Sequence, residues 1–379
     1  MAGEIRQKFD LDKFTRYVDE NAPNIKTPLE VKQFGYGQSN PTYLITAADG
    51  NKYVMRKQPP GKLLSKTAHR VDREFRIIHA LNPTDVPVPE AMCLCTDSAV
   101  IGTPFYIMQF LQGRIFEDPA IPDVSPKERK EMWRSAITTL AKFHRVKPDS
   151  VGLQDFGRHG NFYNRQLRTF KKLSEDQAAV KDADSGEAVG KIPYFDEMVG
   201  FFGDASTQPQ DRSTFVHGDY KIDNVVFHPT EPRVIGILDW EMATIGHPLS
   251  DLTNLIMPIS IAQPEYAELA DAAGRKNLSF MGGKDGAEGL PTKEEAVRWY
   301  EDVVGWKVDQ RELTWAEAFN AYRGAVIMQG IAARYAARQA SSTRAMEYGR
   351  AMGPQGKMSW AFVQEVKKKN AEAGKKAKL

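Results

Sequence analysis

The residues of this 379-residue chain that could act together chemically lie in two short stretches. One is Phe215-Val216-His217-Gly218-Asp219-Tyr220-Lys221-Ile222-Asp223-Asn224. The other is Ile237-Leu238-Asp239-Trp240-Glu241. The pattern is an apolar run, H-G-D, four residues, Asn, a short hairpin, then Asp after a second apolar run. Transfer of a phosphoryl group from a nucleotide needs few protein parts. One carboxylate accepts the hydroxyl proton. A second carboxylate and an amide oxygen hold magnesium, a hard cation that takes oxygen ligands. Asp219 has the position of the base, and Asn224 and Asp239 those of the metal ligands. H-G-D alone is a weak signal; with Asn five residues on and Asp fifteen beyond that, it becomes specific. His217 and His247 read as structural histidines, and Asp251 as a buried tie beneath the loop.

An upstream lobe should grip the nucleotide. Gly35-x-Gly37 sits between two expected strands, where backbone could cover phosphates. Val54-Met55-Arg56-Lys57 ends the second strand, and one cation there must reach the α- and β-phosphates, tied by a glutamate on the next helix. Arg56 and Lys57 are adjacent, so a strand sends them to opposite faces. Arg56 is the preferred candidate, with Lys57 left open and Glu74 the expected partner. Phe105 to Leu111 reads as a hinge whose backbone, at Gln109 and Leu111, would receive adenine. No G-x-x-x-x-G-K-[ST] occurs, so a P-loop ATPase is not supported.

The elements that must position these residues follow from periodicity. Residues 30–57 read as strands, with an Asp49-Gly50 hairpin turn. Residues 66–81 read as a helix with Val71, Phe75, Ile78 and Leu81 on one face. Strands follow near Ala91 to Leu94 and Phe105 to Phe110. Ser125-Pro126-Lys127-Glu128 predicts a capping box that opens a helix carrying Trp133, Ile137, Leu140, Ala141 and His144. Residues 161–180 look helical, and 181–212 read as a polar surface insertion. From Asp251 the chain is expected to be mostly helical, most clearly over Trp315 to Ala340, with a Gly- and Lys-rich loop at 273–292. The expected fold class is α+β and bilobal: a small antiparallel-sheet lobe over 1–111, a larger mostly helical lobe over 112–365, and a basic flexible tail over 366–379.

Composition narrows the function classes. Lys plus Arg number 51 against 49 Asp plus Glu, a formal charge of +2, which gives no support to a nucleic-acid binder. No run approaches the roughly 18 apolar residues of a membrane span, and the first residues lack the apolar core of a secretory signal. Cys93 and Cys95 fall in an expected strand, where they are taken to point to opposite faces. Neither a disulfide nor a zinc framework is expected. The chain ends Ala377-Lys378-Leu379, one residue from the Ser-Lys-Leu address, so a peroxisomal location read by its import receptor is expected.

H-G-D-x-x-x-x-N with I-L-D-W-E resembles the aminoglycoside phosphotransferase and choline kinase superfamily. Gly218 stands where protein kinases carry Arg, and Trp240 where they carry Phe. Val54 to Leu64, Val71 to Phe75, Gly152 to Arg158 and Gln329 to Tyr335 resemble the kinase domain of acyl-CoA dehydrogenase family members ten and eleven. The likeness runs from about residue 25 to 365. It implies a bilobal protein-kinase-like fold, ATP and Mg2+ as cofactors, and a small hydroxylated acceptor. In the fused enzymes the acceptor is a 4-hydroxyacyl-CoA, and the dehydrogenase part then eliminates phosphate. No dehydrogenase segment is recognisable here, so a separate acyl-CoA dehydrogenase-type partner is expected. One rival keeps the fold but takes an amino-alcohol or aminoglycoside-type acceptor. Arg158, Arg165, Arg168 and Lys171, if they faced the acceptor, would favour a CoA-linked one. Another rival is a nucleotide-binding scaffold without turnover.

Overall fold

The computed structural model describes residues 2–35, 40–60, 69–282, 286–340 and 344–376. Gly37 and the terminal Ala377-Lys378-Leu379 lie outside the described residues.

The first part of the chain is a six-stranded antiparallel sheet with one main helix on each face. Its elements are β1 (Ala2–Gly3), α1 (Leu11–Asn21), β2 (Glu30–Phe34), β3 (Thr42–Thr46), β4 (Lys52–Lys57), α2 (Val71–Leu81), β5 (Ala91–Cys95), the one-turn α3 (Ser98–Ile101) and β6 (Phe105–Gln109). Strand order is β1-β2-β3-β4-β6-β5. Alternation along β4 divides its side chains between two cores. Tyr53 and Met55 join Phe14 and Val18 of α1. Val54 joins Ile77, Ile78 and Leu81 of α2, in a cluster continuous with the helical part of the molecule. Cys93 and Cys95 are both buried on the α1 side, contrary to the expectation that they diverge. They are two residues apart, and a period of two returns both to one face. Both are free thiols, and burial pushes that of Cys93 up to about 12.

Beyond Gly113 the chain is helical apart from two ribbons. It runs α4 (Pro126–Arg145), α5 (Phe162–Ala178), α6 (Phe195–Gly203), β7 (Thr214–Val216), β8 (Val225–Phe227), β9 (Val234–Ile237), β10 (Thr244–Gly246), α7 (Leu249–Ser260), α8 (Ala267–Ala272), α9 (Lys293–Val304), α10 (Gln310–Ala336), α11 (Ala345–Arg350) and α12 (Met352–Lys376). β7 pairs with β10, and β8 with β9, each antiparallel. Ser125 caps α4 by accepting Glu128 N–H at 3.2 Å, but the Glu128 carboxylate turns to Arg114 at 2.8 Å.

Two expectations need correction. The polar stretch 181–212 contains α6, whose Phe195, Met198, Phe201 and Phe202 are buried; Phe202 packs edge-on against Trp315 of α10. The apolar face drives that segment inward despite its polar flanks. The expected tail from residue 366 instead continues α12. Val366 is fully buried, and Lys369 Nζ reaches Glu365 and Thr314.

Candidate active site

The H-G-D turn follows β7 and is fixed from beneath by one carboxylate. Asp251, in the first turn of α7 and buried, accepts His217 N–H at 2.7 Å and Gly218 N–H at 2.9 Å on its two oxygens. His144 of α4 meets the same carboxylate at 3.3 Å and is itself bonded to Tyr300 OH at 2.7 Å. Burial works against the charge on Asp251, but His144 and His217 hold its carboxyl below the usual range. Asp251 is thus the buried tie that the sequence suggested.

His217 is structural in the same sense. Burial lowers its pKa, so the ring is neutral. One ring nitrogen accepts Asp219 N–H at 3.2 Å, and the other donates to Leu238 O at 2.9 Å. The ring therefore spaces Asp219 against the residue before Asp239. Gly218 explains why this turn carries no side chain. Its φ is +85°, and a Cβ would sit 2.9 Å from the Met242 carbonyl oxygen.

Asn224 Nδ2 donates to Asp219 O at 2.8 Å and to Asp219 Oδ2 at 3.0 Å. That commits the amide nitrogen and leaves Oδ1 as a possible oxygen ligand. Leu238 N–H donates to Asn224 O at 2.8 Å, so the β8–β9 ribbon draws Asn224 toward Asp239. Asp239 is left-handed at φ 65°, and its Oδ1 lies 3.0 Å from Arg56 Nη1. Its other oxygen has no recorded partner among the described residues. One amide oxygen and one carboxylate oxygen suit magnesium, which takes few protein ligands and completes its shell with phosphate and water. Lys221 Nζ lies 3.1 Å from Asp223 and 3.5 Å from Asp219. Although burial disfavours its charge, those carboxylates hold the Lys221 ammonium above its ordinary value.

From the sheet side, Arg56 Nη1 also lies 3.0 Å from Glu74 Oε2. Glu74 is fully buried and accepts Asn40 Nδ2 at 2.7 Å and Tyr106 OH at 3.0 Å. Burial works to lower the Arg56 pKa, but Glu74, Tyr106 and Asp239 hold it well above the ordinary value. Lys57 points the other way, with Tyr53 and Met55, and makes no ion pair with a described residue. Of the two adjacent cations, the fold joins Arg56 to Glu74. Gly35 is exposed at the end of β2. Gln109 ends β6 with its N–H bonded to Glu90 O at 2.8 Å. Leu111 follows where the chain leaves the sheet, and its N–H has no recorded partner among the described residues.

Two recesses flank the H-G-D turn. One, of about 110 Å3, is walled by aromatic side chains, including Phe162, Tyr163, Phe170 and Phe319, and reaches Gly218 and Arg323. The other, of about 350 Å3, is lined by the bases Lys221, Arg275 and Lys276, the acids Glu117 and Asp223, and Asn254. Arg158, Arg165, Arg168 and Lys171 line neither. Arg165 is spent on the carbonyls of Gly160 and Arg158, and the other three are exposed.

A model for the phosphotransferase enzyme family, APH, matches residues 30–290. The chain belongs to that family. This phosphotransferase, a small-molecule kinase by family, is 37% identical over 347 residues to the probable acyl-CoA dehydrogenase IBR3 of Arabidopsis thaliana. The match covers 88% of the chain and 40% of that protein. It is 36% identical to acyl-CoA dehydrogenase family member 11 of Gallus gallus, covering 93% of the chain and 43% of the relative. The phosphotransferase therefore spans about two fifths of the length of these curated relatives. A crystal structure from Ralstonia eutropha, provisionally named an aminoglycoside phosphotransferase, superposes with a TM-score of 0.79. It is 33% identical, and the match covers 94% of this chain and 99% of that one. The macrolide 2'-phosphotransferase MphH of Brachybacterium faecium, at 16% identity and TM-score 0.53, shares the fold.

Three residues of the phosphotransferase site escaped sequence reasoning. Asn40 and Tyr106 complete the shell around Glu74, and Arg323 of α10 donates to Gly218 O at 2.6 Å. Each reaches the site from a distant part of the chain, and none carries a local motif.

Proposed function

We propose that this phosphotransferase moves the γ-phosphoryl group of ATP to a hydroxyl group of a small metabolite, with a hydroxyacyl-CoA as the acceptor. The observation that carries the reading is one polar circuit. Glu74, Arg56 and Asp239 are linked across the sheet and the ribbon, and Asp239 is tied through Leu238 and Asn224 to Asp219.

In this reading Asp219 accepts the proton as the acceptor oxygen attacks phosphorus. The new P–O bond forms as the bond to the ADP oxygen breaks, and ADP leaves with its electron pair. Arg56, held by Glu74, grips the phosphates, with the backbone at Gly35 approaching them and Gln109 and Leu111 receiving adenine. Asn224 and Asp239 hold magnesium, which when bound offsets the negative charge of the phosphates. Asp219 is oriented by Asn224 and by the His217 ring.

Two features favour the hydroxyacyl-CoA acceptor. The curated relatives from Arabidopsis thaliana and Gallus gallus are named acyl-CoA dehydrogenases. The recesses beside the turn carry the bases Lys221, Arg275, Lys276 and Arg323 against the acids Glu117 and Asp223, where a site for polycationic drugs would be predominantly acidic. A dehydrogenase-type activity would act on the phosphorylated product.

The test is ADP release with ATP and magnesium over a panel of 4-hydroxyacyl-CoAs, amino-alcohols and aminoglycosides. Turnover confined to the hydroxyacyl-CoAs and abolished by chelation supports the reading. Turnover on amino-alcohols or drugs alone replaces the acceptor, and ATP binding without turnover on any member favours a scaffold.

A further inference from the structure

The two recesses beside the catalytic turn differ in chemistry. The larger is lined by acids and bases. The smaller has one charged residue in its lining among the described residues, Arg323, and no acid. Phe162, Tyr163 and Phe170 wall it from α5, and Ala316 and Phe319 from α10. The Tyr163 hydroxyl has no exposed surface, so the recess meets the ring and not the oxygen. At the turn the same space reaches Gly218, the residue before Asp219, and Met242, three residues after Asp239. Met242 is 49% exposed despite being large and apolar. It therefore offers an adaptable apolar surface to whatever approaches the turn.

These walls discriminate among acceptors. A sugar would set its hydroxyls against rings that return no hydrogen bonds. An ammonium group could sit among aromatic faces, but here it would meet the positive Arg323 with no carboxylate in the lining. An alkyl chain gains from the walls by leaving water and opposes no charge. An apolar cavity of about 150 Å3 holds the six carbons of benzene, so a recess of about 110 Å3 takes about four.

We propose that the aromatic recess seats the acceptor's alkyl tail, the part of the chain beyond the reacting hydroxyl, with the small side chain of Ala316 leaving the room that sets its length. The inference rests on the hydroxyacyl reading above and adds which end of that acceptor the protein measures.

The experiment is calorimetric titration of the chain saturated with ADP and magnesium, so that no phosphoryl donor is present. The probes are the pantetheine thioesters of 4-hydroxypentanoic, 4-hydroxyoctanoic and 4-hydroxydodecanoic acid, and choline. Affinity should rise about fourfold for each methylene buried between the first two thioesters, and level off at the third. Ala316→Leu should abolish the rise, with an unchanged unfolding midpoint as the folding control. Phe170→Ala, at a half-buried position, should carry the rise on to the dodecanoyl probe, and it decides the matter if Ala316→Leu fails to fold. Affinity independent of chain length, a rise that survives Ala316→Leu in a folded protein, or a plateau that Phe170→Ala leaves in place overturns the assignment. Choline binding that Ala316→Leu removes overturns it in favour of a cation site. A chain that shows the length dependence but phosphorylates no hydroxyacyl thioester keeps the alkyl seat and loses the acceptor reading. Turnover on those thioesters without length dependence does the reverse.

Discussion

Arg56 Nη1 stands 3.0 Å from Asp239 Oδ1 although 183 residues separate them in the chain. The same nitrogen is 3.0 Å from Glu74, so one guanidinium joins the sheet to the β8–β9 ribbon. Lysine is shorter and lacks the planar fork, so its ammonium would sit differently between the two carboxylates and lose the remaining guanidinium donors. Arg56→Lys should raise the KM for ATP by about tenfold, whereas Lys57→Gln should leave it unchanged. Glu74→Ala strands the Arg56 charge and should cost about 3–5 kcal/mol in urea denaturation. An Arg56→Lys enzyme with unaltered KM would remove Arg56 from the nucleotide grip.

Asp219→Asn keeps the shape of the side chain and removes its basicity. Loss of a general base lowers turnover by about 100- to 10,000-fold. ADP affinity, measured by calorimetry, should stay within about twofold of the parent, because the nucleotide contacts come from Arg56 and the sheet. Near-normal turnover in this variant would exclude Asp219 as the base.

Gly218 combines a left-handed backbone with contact to Met242. Gly218→Ala should lower stability by about 1–3 kcal/mol through backbone strain, with further loss as the Met242 carbonyl is displaced. The fall in the unfolding midpoint should come with a fall in kcat, since the turn also orients Asp219. A Gly218→Ala protein with parental melting would refute the strain argument.

His247 gives the fold a dependence on acid. It is buried, donates to Gln210 O at 3.0 Å and accepts Leu249 N–H at 3.2 Å. Burial lowers its pKa to about 4. The unfolded chain takes up a proton near pH 6.5 and the folded chain does not, so stability is fully present above that pH. It declines as pH falls toward 4, by on the order of 3 kcal/mol. Chemical denaturation between pH 7 and 4 should show the decline, and it should be shallower in His247→Gln. Parallel profiles for the two proteins would place the acid sensitivity elsewhere.

What the sequence revealed and what it hid divide along a physical line. The spacing of Asp219, Asn224 and Asp239 was legible because a short loop and a hairpin set it; the structure bonds Asn224 to Asp219 and ties Asp239 to Asn224 through the Leu238 backbone. The Arg56–Glu74 pair was legible because a strand and the following helix meet across a fixed geometry. Strand alternation was misapplied to Cys93 and Cys95 and correctly applied to Arg56 and Lys57. Helix α6 was hidden because its polar flanks outweighed the four-residue apolar face of a nine-residue helix. Asn40, Tyr106 and Arg323 were invisible because their partners are 32 to 105 residues away. Tertiary packing alone decides such pairings.

The Gly218 carbonyl is held by an arginine from α10, yet the family match stops at residue 290. The recognisable portion of the chain is therefore smaller than the portion that sets the turn. A truncation at that limit would retain Asp219, Asn224 and Asp239 but lose Arg323. It would also lose Trp315 and Phe319, against which Tyr163 packs. The minimal working unit of this enzyme extends at least through α10, and domain dissection guided by homology boundaries would cut through its foundation.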